Sequence, residues 1–500
     1  MSCNSTNGDP NSDSTSDIRE TSLGKLDRRN VLLGIGGLYA FGAPIHAPDV
    51  TKCGVATVPE GVTPTNYFQL PFPDSLLRIR PAAHLVSKEY RAKYKKAIGL
   101  MKALPDDDPR NFRQQASVRC AYCNGADDQA GFPDLELQVH ASWLFFPFHR
   151  FYAYFHERIL AELINNPTSG LPYWSWDSPP GMQMPAIYAD STSTLYDEKR
   201  NAKHLPPGMQ SWDLDYDFTK STSPDSEIVA NNLSIVYRQV VSGATIAKLF
   251  FGSPYRAGDQ PDPGEVHIWT CLSDKPNENM GNFYTAGRDP IFFGHHANVD
   301  RMWTLWKAIR GKNRTEVADP DSQNGSSSTM LNAQLVRVKV RDCLDQLKLR
   351  YKDQDIPIPW LKKKYAAQSE DDHQKFQVGS SESGGTSKDD DQQKWRLPKP
   401  LNSVIRVEVP RPKKSRSKKE KKVEEEVLLI KGIELDRYDF VKFDVKPSNS
   451  EFAGSFVNVP HKHKQRMKTN NDESVIVTIV PRAGTDDGTI GAIEIEFVSD

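Results

Sequence analysis

Gln138-Val139-His140-Ala141-Ser142-Trp143-Leu144-Phe145-Phe146-Pro147-Phe148-His149-Arg150 is followed, about 150 residues later, by Asp289-Pro290-Ile291-Phe292-Phe293-Gly294-His295-His296-Ala297-Asn298-Val299-Asp300-Arg301. Both stretches are aromatic and set a proline shortly before a histidine. Neutral imidazole is a ligand for transition metals, and an aromatic wall around it keeps water out. A single buried histidine is more often a satisfied core residue than a ligand. Here the repeated arrangement argues for a shared site. Nine helical steps make about 2.5 turns, so His140 and His149 face opposite ways on one straight helix. They share a metal only if His140 lies before the helix. Pro147 suits the first position of a helix, which puts His149 in its first turn. Pro290 opens a second helix, with His296 inside it.

The 500 residues are enough for two or three domains. Lys and Arg number 64 against 65 Asp and Glu, a net charge of −1, so nothing in the overall balance points to nucleic acid or a membrane surface. The six cysteines, Cys3, Cys53, Cys120, Cys123, Cys271 and Cys343, are too scattered for pairing to be read. Residues 1–50 read as a disordered Ser/Asn/Asp-rich start and an export signal. The signal is Asp27-Arg28-Arg29-Asn30 followed by an apolar run, Val31 to Ala43, too short to span a bilayer. The competing reading, a buried N-terminal helix, is disfavoured by the glycines.

Residues 51–365 form an aromatic-rich helical domain, with helices predicted around 86–103, 147–165 and 290–310. Phe148, Phe151, Phe155, Ile159 and Leu163 make a core stripe at helical spacing. A polar Ser/Gly/Asp linker covers 366–396. Residues 397–500 alternate as strands do at Val404 to Val409, Val427 to Ile430, Ser474 to Val480 and Ile493 to Phe497, which predicts a small β-sandwich. The fold class expected is mainly α: a helical-bundle metal domain followed by a C-terminal β-sandwich. The basic run Lys413 to Lys422 could pass for a nucleic-acid patch. Acidic Glu424 to Glu426 follow at once and no aromatic residues interleave, so a solvated loop is the better reading.

The chain resembles the plant polyphenol oxidases of the tyrosinase and catechol oxidase family, from about Arg28 to Asp500. The resemblance rests on the two histidine blocks together with Cys120-Ala121-Tyr122-Cys123-Asn124-Gly125, Phe132-Pro133-Asp134-Leu135-Glu136, Pro172-Tyr173-Trp174-Ser175-Trp176-Asp177, Val266-His267-Ile268-Trp269, Met280-Gly281-Asn282-Phe283-Tyr284 and Lys442-Phe443-Asp444-Val445. It implies a binuclear copper site that oxidises o-diphenols to o-quinones with dioxygen. The metal ligands implied are His140 and His149 for one copper ion and His267 and His296 for the other. The same resemblance makes Cys123 the partner of a thioether to His140, Phe283 a gate over the copper pair, His295 a substrate contact and Asn298 a neighbour that orients the last ligand. It implies a small phenolic substrate and a thylakoid-lumen location in the chloroplast. No nucleic-acid partner and no stable membrane span are expected, and the oligomeric state stays open.

Two positions depart from the family pattern. Where the first copper's remaining ligand is expected stands Arg119, a cation with no lone pair to offer. Where the second copper's remaining ligand is expected, four residues before His267, stands Pro263, with a stretch missing before Glu265. Four of six ligands are therefore present, and the alternative is a non-catalytic lumenal paralog that kept the scaffold. Shorter gaps elsewhere deprive Cys53 and Cys120 of the partners that the family pattern supplies.

Overall fold

The computed structural model describes residues 67–123, 143–210, 224–251, 264–271, 279–281, 285–309, 326–331 and 334–362, and then 397–413, 425–434, 442–447, 454–457, 464–466, 474–483 and 488–498, with single positions 139, 314, 416, 417 and 420. The expected export signal, His140, Pro263, Phe283 and the whole polar linker 366–396 lie outside these residues.

The first part is helical. Helix α1 (Lys88–Lys102) starts where the Ser87 hydroxyl accepts the Tyr90 N–H, and its buried residues Tyr94, Ala97, Ile98 and Met101 fall on one face. Helices α2 (Phe112–Cys123), α4 (Asp225–Tyr237), α5 (Ala247–Phe251) and α6 (Gly264–Thr270) surround the central pair, α3 (Phe145–Leu163) and α7 (Ile291–Ala308). Helix α3 begins two residues before Pro147, so the proline sits within the first turn rather than opening it. The expected stripe was too narrow: α3 is buried on nearly every side, as a central helix must be, whereas Phe148 and Leu163 are only partly buried. Contacts between α3 and α7 run in opposite chain order, Phe146 with Trp303 (ring centroids 5.8 Å), His149 with His296 (4.1 Å) and Tyr152 with Phe293 (5.2 Å), so the two helices are antiparallel.

A buried ion network fixes this pair. Asp300 on α7 accepts from Arg150 of α3 (2.5 Å) and from Arg80 (2.6 Å), which lies on strand β1 (Arg78–Arg80). Tyr351, on strand β4 (Tyr351–Asp353), donates its hydroxyl to the same carboxylate at 2.5 Å. Arg78 and Arg80 also hold Glu157 of α3, at 2.6 and 2.7 Å. Strand β1 pairs in parallel with β4, and a β2–β3 hairpin (Ser326–Leu331 and Gln334–Lys339) lies between them in sequence. Beside the network, the Asp353 carboxylate oxygens are buried without a hydrogen-bond partner. Burial and neighbouring Asp300 push the Asp353 carboxyl up to about 7. The folded state therefore favours the protonated form. The contribution to stability is fully present below the unfolded pKa near 4 and is lost as pH rises through about 7. Asp353→Asn is expected to flatten that slope, raising stability above neutral pH by at most about 4 kcal/mol. Urea unfolding of both forms at pH 5 and pH 8 checks it, and an unchanged pH dependence would refute the assignment.

The second part is a sandwich of two four-stranded sheets. Their orders are β10-β7-β12-β5 (Lys464–Arg466, Glu425–Glu434, Thr489–Val498, Lys399–Pro400) and β6-β11-β8-β9 (Ile405–Pro410, Ser474–Ala483, Lys442–Pro447, Gly454–Val457). Ile405, Val407 and Val409 alternate inward from β6 and join Leu428, Ile430, Phe443, Val477 and Ile495 in one apolar core. In the basic run, Lys413 pairs with Glu420, and the Glu420 carboxylate accepts the Ser417 N–H at 2.7 Å.

Candidate metal centre

Helix α7 contributes two adjacent histidines, and the chain presses closely against the helix just before them. The Gly294 carbonyl accepts the Trp174 N–H at 2.8 Å. A Cβ at Gly294 would stand 2.6 Å from the Tyr188 hydroxyl, so a larger residue forces that ring to move. The Pro172–Asp177 segment therefore runs along α7. Trp176 donates its indole N–H to His295 Nδ1 at 3.1 Å, and Asp177 accepts from Asn298 at 3.0 Å and from Arg301 at 2.9 Å.

His149 is the fifth residue of α3, and its Nδ1 lies 2.8 Å from the Phe145 carbonyl one turn earlier. His267 lies on α6, with Nδ1 2.9 Å from the Met280 carbonyl. A carbonyl can only accept, so both rings carry their proton on Nδ1 and keep a lone pair on Nε2. His296 is fully buried, and neither ring nitrogen has a hydrogen-bond partner. Burial above all, and then His149, His295, His267 and Arg119, hold His296 well below the usual imidazole range, so it is neutral. Ring centroids of His267 and His296 are 5.6 Å apart, and those of His295 lie 4.9 Å from each. Nitrogens of His267, His295 and His296 fall within 4.8 Å of one another. His149 and His296 stack at 4.1 Å, 10° from parallel. Phe145 and Phe292 wall the group, 4.6 Å from His149 and 4.2 Å from His296.

These features fit a metal ion. Carbonyls outside the group aim two lone pairs, and a buried imidazole with two unpartnered nitrogens calls for a ligand. They fit a second ion poorly. Arg119 on α2 is fully buried, its guanidinium 4.6 Å from the centroid of Phe292, and its charge acts on His296. A fixed cation here repels another cation and supplies no lone pair.

Of the expected site residues, His149, His267, His295 and His296 come together in one buried cluster. Asn298 sits one half-turn on from His296 and is held by Asp177 and Arg301. His140 and Phe283 lie outside the described residues, and Cys123 ends α2 with its side chain outside them too. Sequence reasoning quoted Trp176 within a motif but missed its bond to His295. It also missed the Phe145 and Met280 carbonyls, which leave no mark on side-chain identity. His156, also passed over, is buried two turns along α3 against Phe293, with ring centroids 3.4 Å apart, and burial pushes it down to about 3.

A buried histidine cluster built on a pair of antiparallel helices and a short third one, followed by a β-sandwich, defines a protein whose metal would sit inside a helical bundle. Residues 109–309 match the common central domain of tyrosinase, 331–366 the polyphenol oxidase middle domain and 397–471 the chloroplastic polyphenol oxidase C-terminal domain. The chloroplastic polyphenol oxidase of Vitis vinifera is 62% identical over 560 aligned positions, covering 100% of this chain and 92% of the relative. About 60 of those positions therefore fall in gaps of this 500-residue chain. Aureusidin synthase of Antirrhinum majus is 47% identical, covering 91% of this chain and 89% of the relative. The structure of latent apple tyrosinase is 48% identical with a TM-score of 0.74, covering 87% of this chain and 100% of that one. The polyphenol oxidase of Grenache Vitis vinifera is 63% identical with a TM-score of 0.56, covering 64% and 100%. The chain belongs to the polyphenol oxidase and tyrosinase family of copper oxidoreductases.

Proposed function

We propose that this scaffold serves the oxidation of o-diphenols to o-quinones in the chloroplast, and that the chain as encoded does so weakly because its copper site is incomplete. The reaction balances as two diphenols and one dioxygen giving two quinones and two waters. The observation that carries the reading is the buried His149, His267 and His296 cluster, with two of its rings oriented by carbonyls. Copper, when bound there, supplies the one-electron steps to dioxygen. The chain's own residues hold the imidazoles in place and exclude water with Phe145 and Phe292. His140 completes the ligand set by family resemblance. Names of the relatives and the twin arginine support a chloroplast destination, with the lumen as the compartment.

Arg119 favours a second reading, a non-catalytic scaffold. Copper content by atomic absorption, together with oxygen uptake on catechol, separates the two. We expect fewer than two copper ions per chain and slow turnover. Two ions with brisk turnover would overturn the view that Arg119 and Pro263 leave the site incomplete. Turnover undetectable in copper-loaded protein would favour the scaffold.

By the same resemblance, Cys123 forms a thioether to the ring of His140, which would pin a ligand lying ahead of the helix. Copper-loaded protein should yield a cross-linked peptide pair lighter by two hydrogens. A free thiol at Cys123 in that sample, loaded under air, would count against the bond, whereas a free thiol in apoprotein would not, since forming it needs copper and dioxygen to take up the two electrons and two protons.

A further inference from the structure

We propose that Asp197 is a positioning residue for His267: through Asn279 it holds the Met280 carbonyl against the imidazole, so that the aim of this ring is set from a distant segment of the chain. The proposal rests on the reading of His267 as a metal ligand. The line of contacts is short. The Asn279 side chain donates to Asp197 Oδ2 at 2.7 Å, and the Lys199 N–H donates to Asp197 Oδ1 at 2.8 Å, so both carboxylate oxygens are engaged by donors. Asn279 opens the short turn Asn279–Gly281 with φ at +43°. That is the left-handed region, which costs an L-residue on the order of 1 kcal/mol and which asparagine tolerates better than most. The next residue, Met280, is buried, and its carbonyl lies 2.9 Å from His267 Nδ1. The strained bend immediately precedes the carbonyl that orients His267, and Asp197 tethers the residue that makes the bend.

The anchor is itself well fixed. Buried Arg200, three residues after Asp197, holds the Asp289 carboxylate at 2.5 and 2.8 Å, and Asp289 accepts the Ile291 N–H at 2.9 Å where α7 begins. The Asn201 N–H donates to the carbonyl of Thr270, the last residue of α6, at 3.0 Å, and the His204 ring meets the Trp269 carbonyl of the same helix. Residues 197–204 therefore tie the end of α6 to the start of α7, and Asp197 is the member of that tie that reaches the turn at Asn279. A hydrogen bond to an ionised carboxylate is roughly twice as strong as one between neutral groups, which suits a tether that must offset a left-handed backbone.

The test titrates the full chain, stripped of metal, with Co(II), whose visible absorption reports the geometry of the nitrogens that hold it. Asn279→Gly keeps the left-handed backbone accessible while removing the tether, and Asp197→Ala removes its other end. Each should weaken Co(II) binding roughly 10-fold, the lower end of what losing an orienting partner costs, and each should shift the visible band. The double variant should bind Co(II) little more weakly than either single one, because both substitutions break the same bond. His267→Phe should lose more affinity than any of them. An unchanged affinity and an unchanged band in Asn279→Gly would overturn the proposal, even if Asp197→Ala fails to fold. So would losses that simply multiply in the double variant. Co(II) affinity unmoved by His267→Phe would show instead that His267 is no ligand, and the proposal would fall with that reading.

Discussion

Arg119→His alone should leave catechol turnover at the low level of the unmodified chain. The substitution removes a buried cation that acts on His296 and supplies an imidazole at that place. By the proposed reading it does nothing for the second ion, where the family pattern puts a ligand and this chain has Pro263 and a gap. Copper content should rise toward the first site's share without a matching rise in oxygen uptake. Restoring that histidine together with the family's missing segment before Glu265 should raise turnover by well over the roughly 10–100-fold that a single orienting group contributes. Copper(II) prefers four nitrogen or oxygen ligands, so two histidines per ion hold it weakly. Full turnover from Arg119→His alone would show that other residues complete the second site.

Asp300→Ala should destabilise the helical part by about 3–5 kcal/mol, the cost of removing one partner from a buried charge network. Arg80 and Arg150 would both lose their shared carboxylate, and the Tyr351 hydroxyl would lose its acceptor. Burial alone would raise the Asp300 carboxyl, but Arg150 and Arg80 overcome it and hold it below the ordinary carboxylate range. Its contribution is thus present above the unfolded pKa near 4 and lost as pH falls through the folded value. Chemical denaturation at pH 7 measures the loss. A change below about 1 kcal/mol would mean that the arginines find other partners. Because Asp300 lies one turn beyond His296, Asp300→Ala should also loosen the stacking of His149 on His296, seen as weaker Zn(II) binding.

The sequence alone determined the histidine helices, the sandwich and the neighbourhood of the site. Pro290 and the aromatic run after it can only open a buried helix, and the alternation at Ile405, Val407 and Val409 can only serve one buried face. Sequence placed Pro147 two positions too early in its helix. Helix α3 starts at Phe145 because its early residues are already buried, and tertiary packing overrode the preference for proline at the first position. It missed α2, α4, α5 and α6. In α2 and α4 the apolar residues form no strong stripe, and α5 and α6 are too short for periodicity to show. Arg119 was legible as a misfit, but only the fold shows it fully buried over Phe292 with its charge on His296. The same holds for tautomers. Residue identity names four histidines, but the partner at Nδ1 decides how each ring is oriented. Those partners, the Phe145 and Met280 carbonyls and the Trp176 indole, are supplied by backbone placement and by a segment more than a hundred residues distant, which no local pattern records.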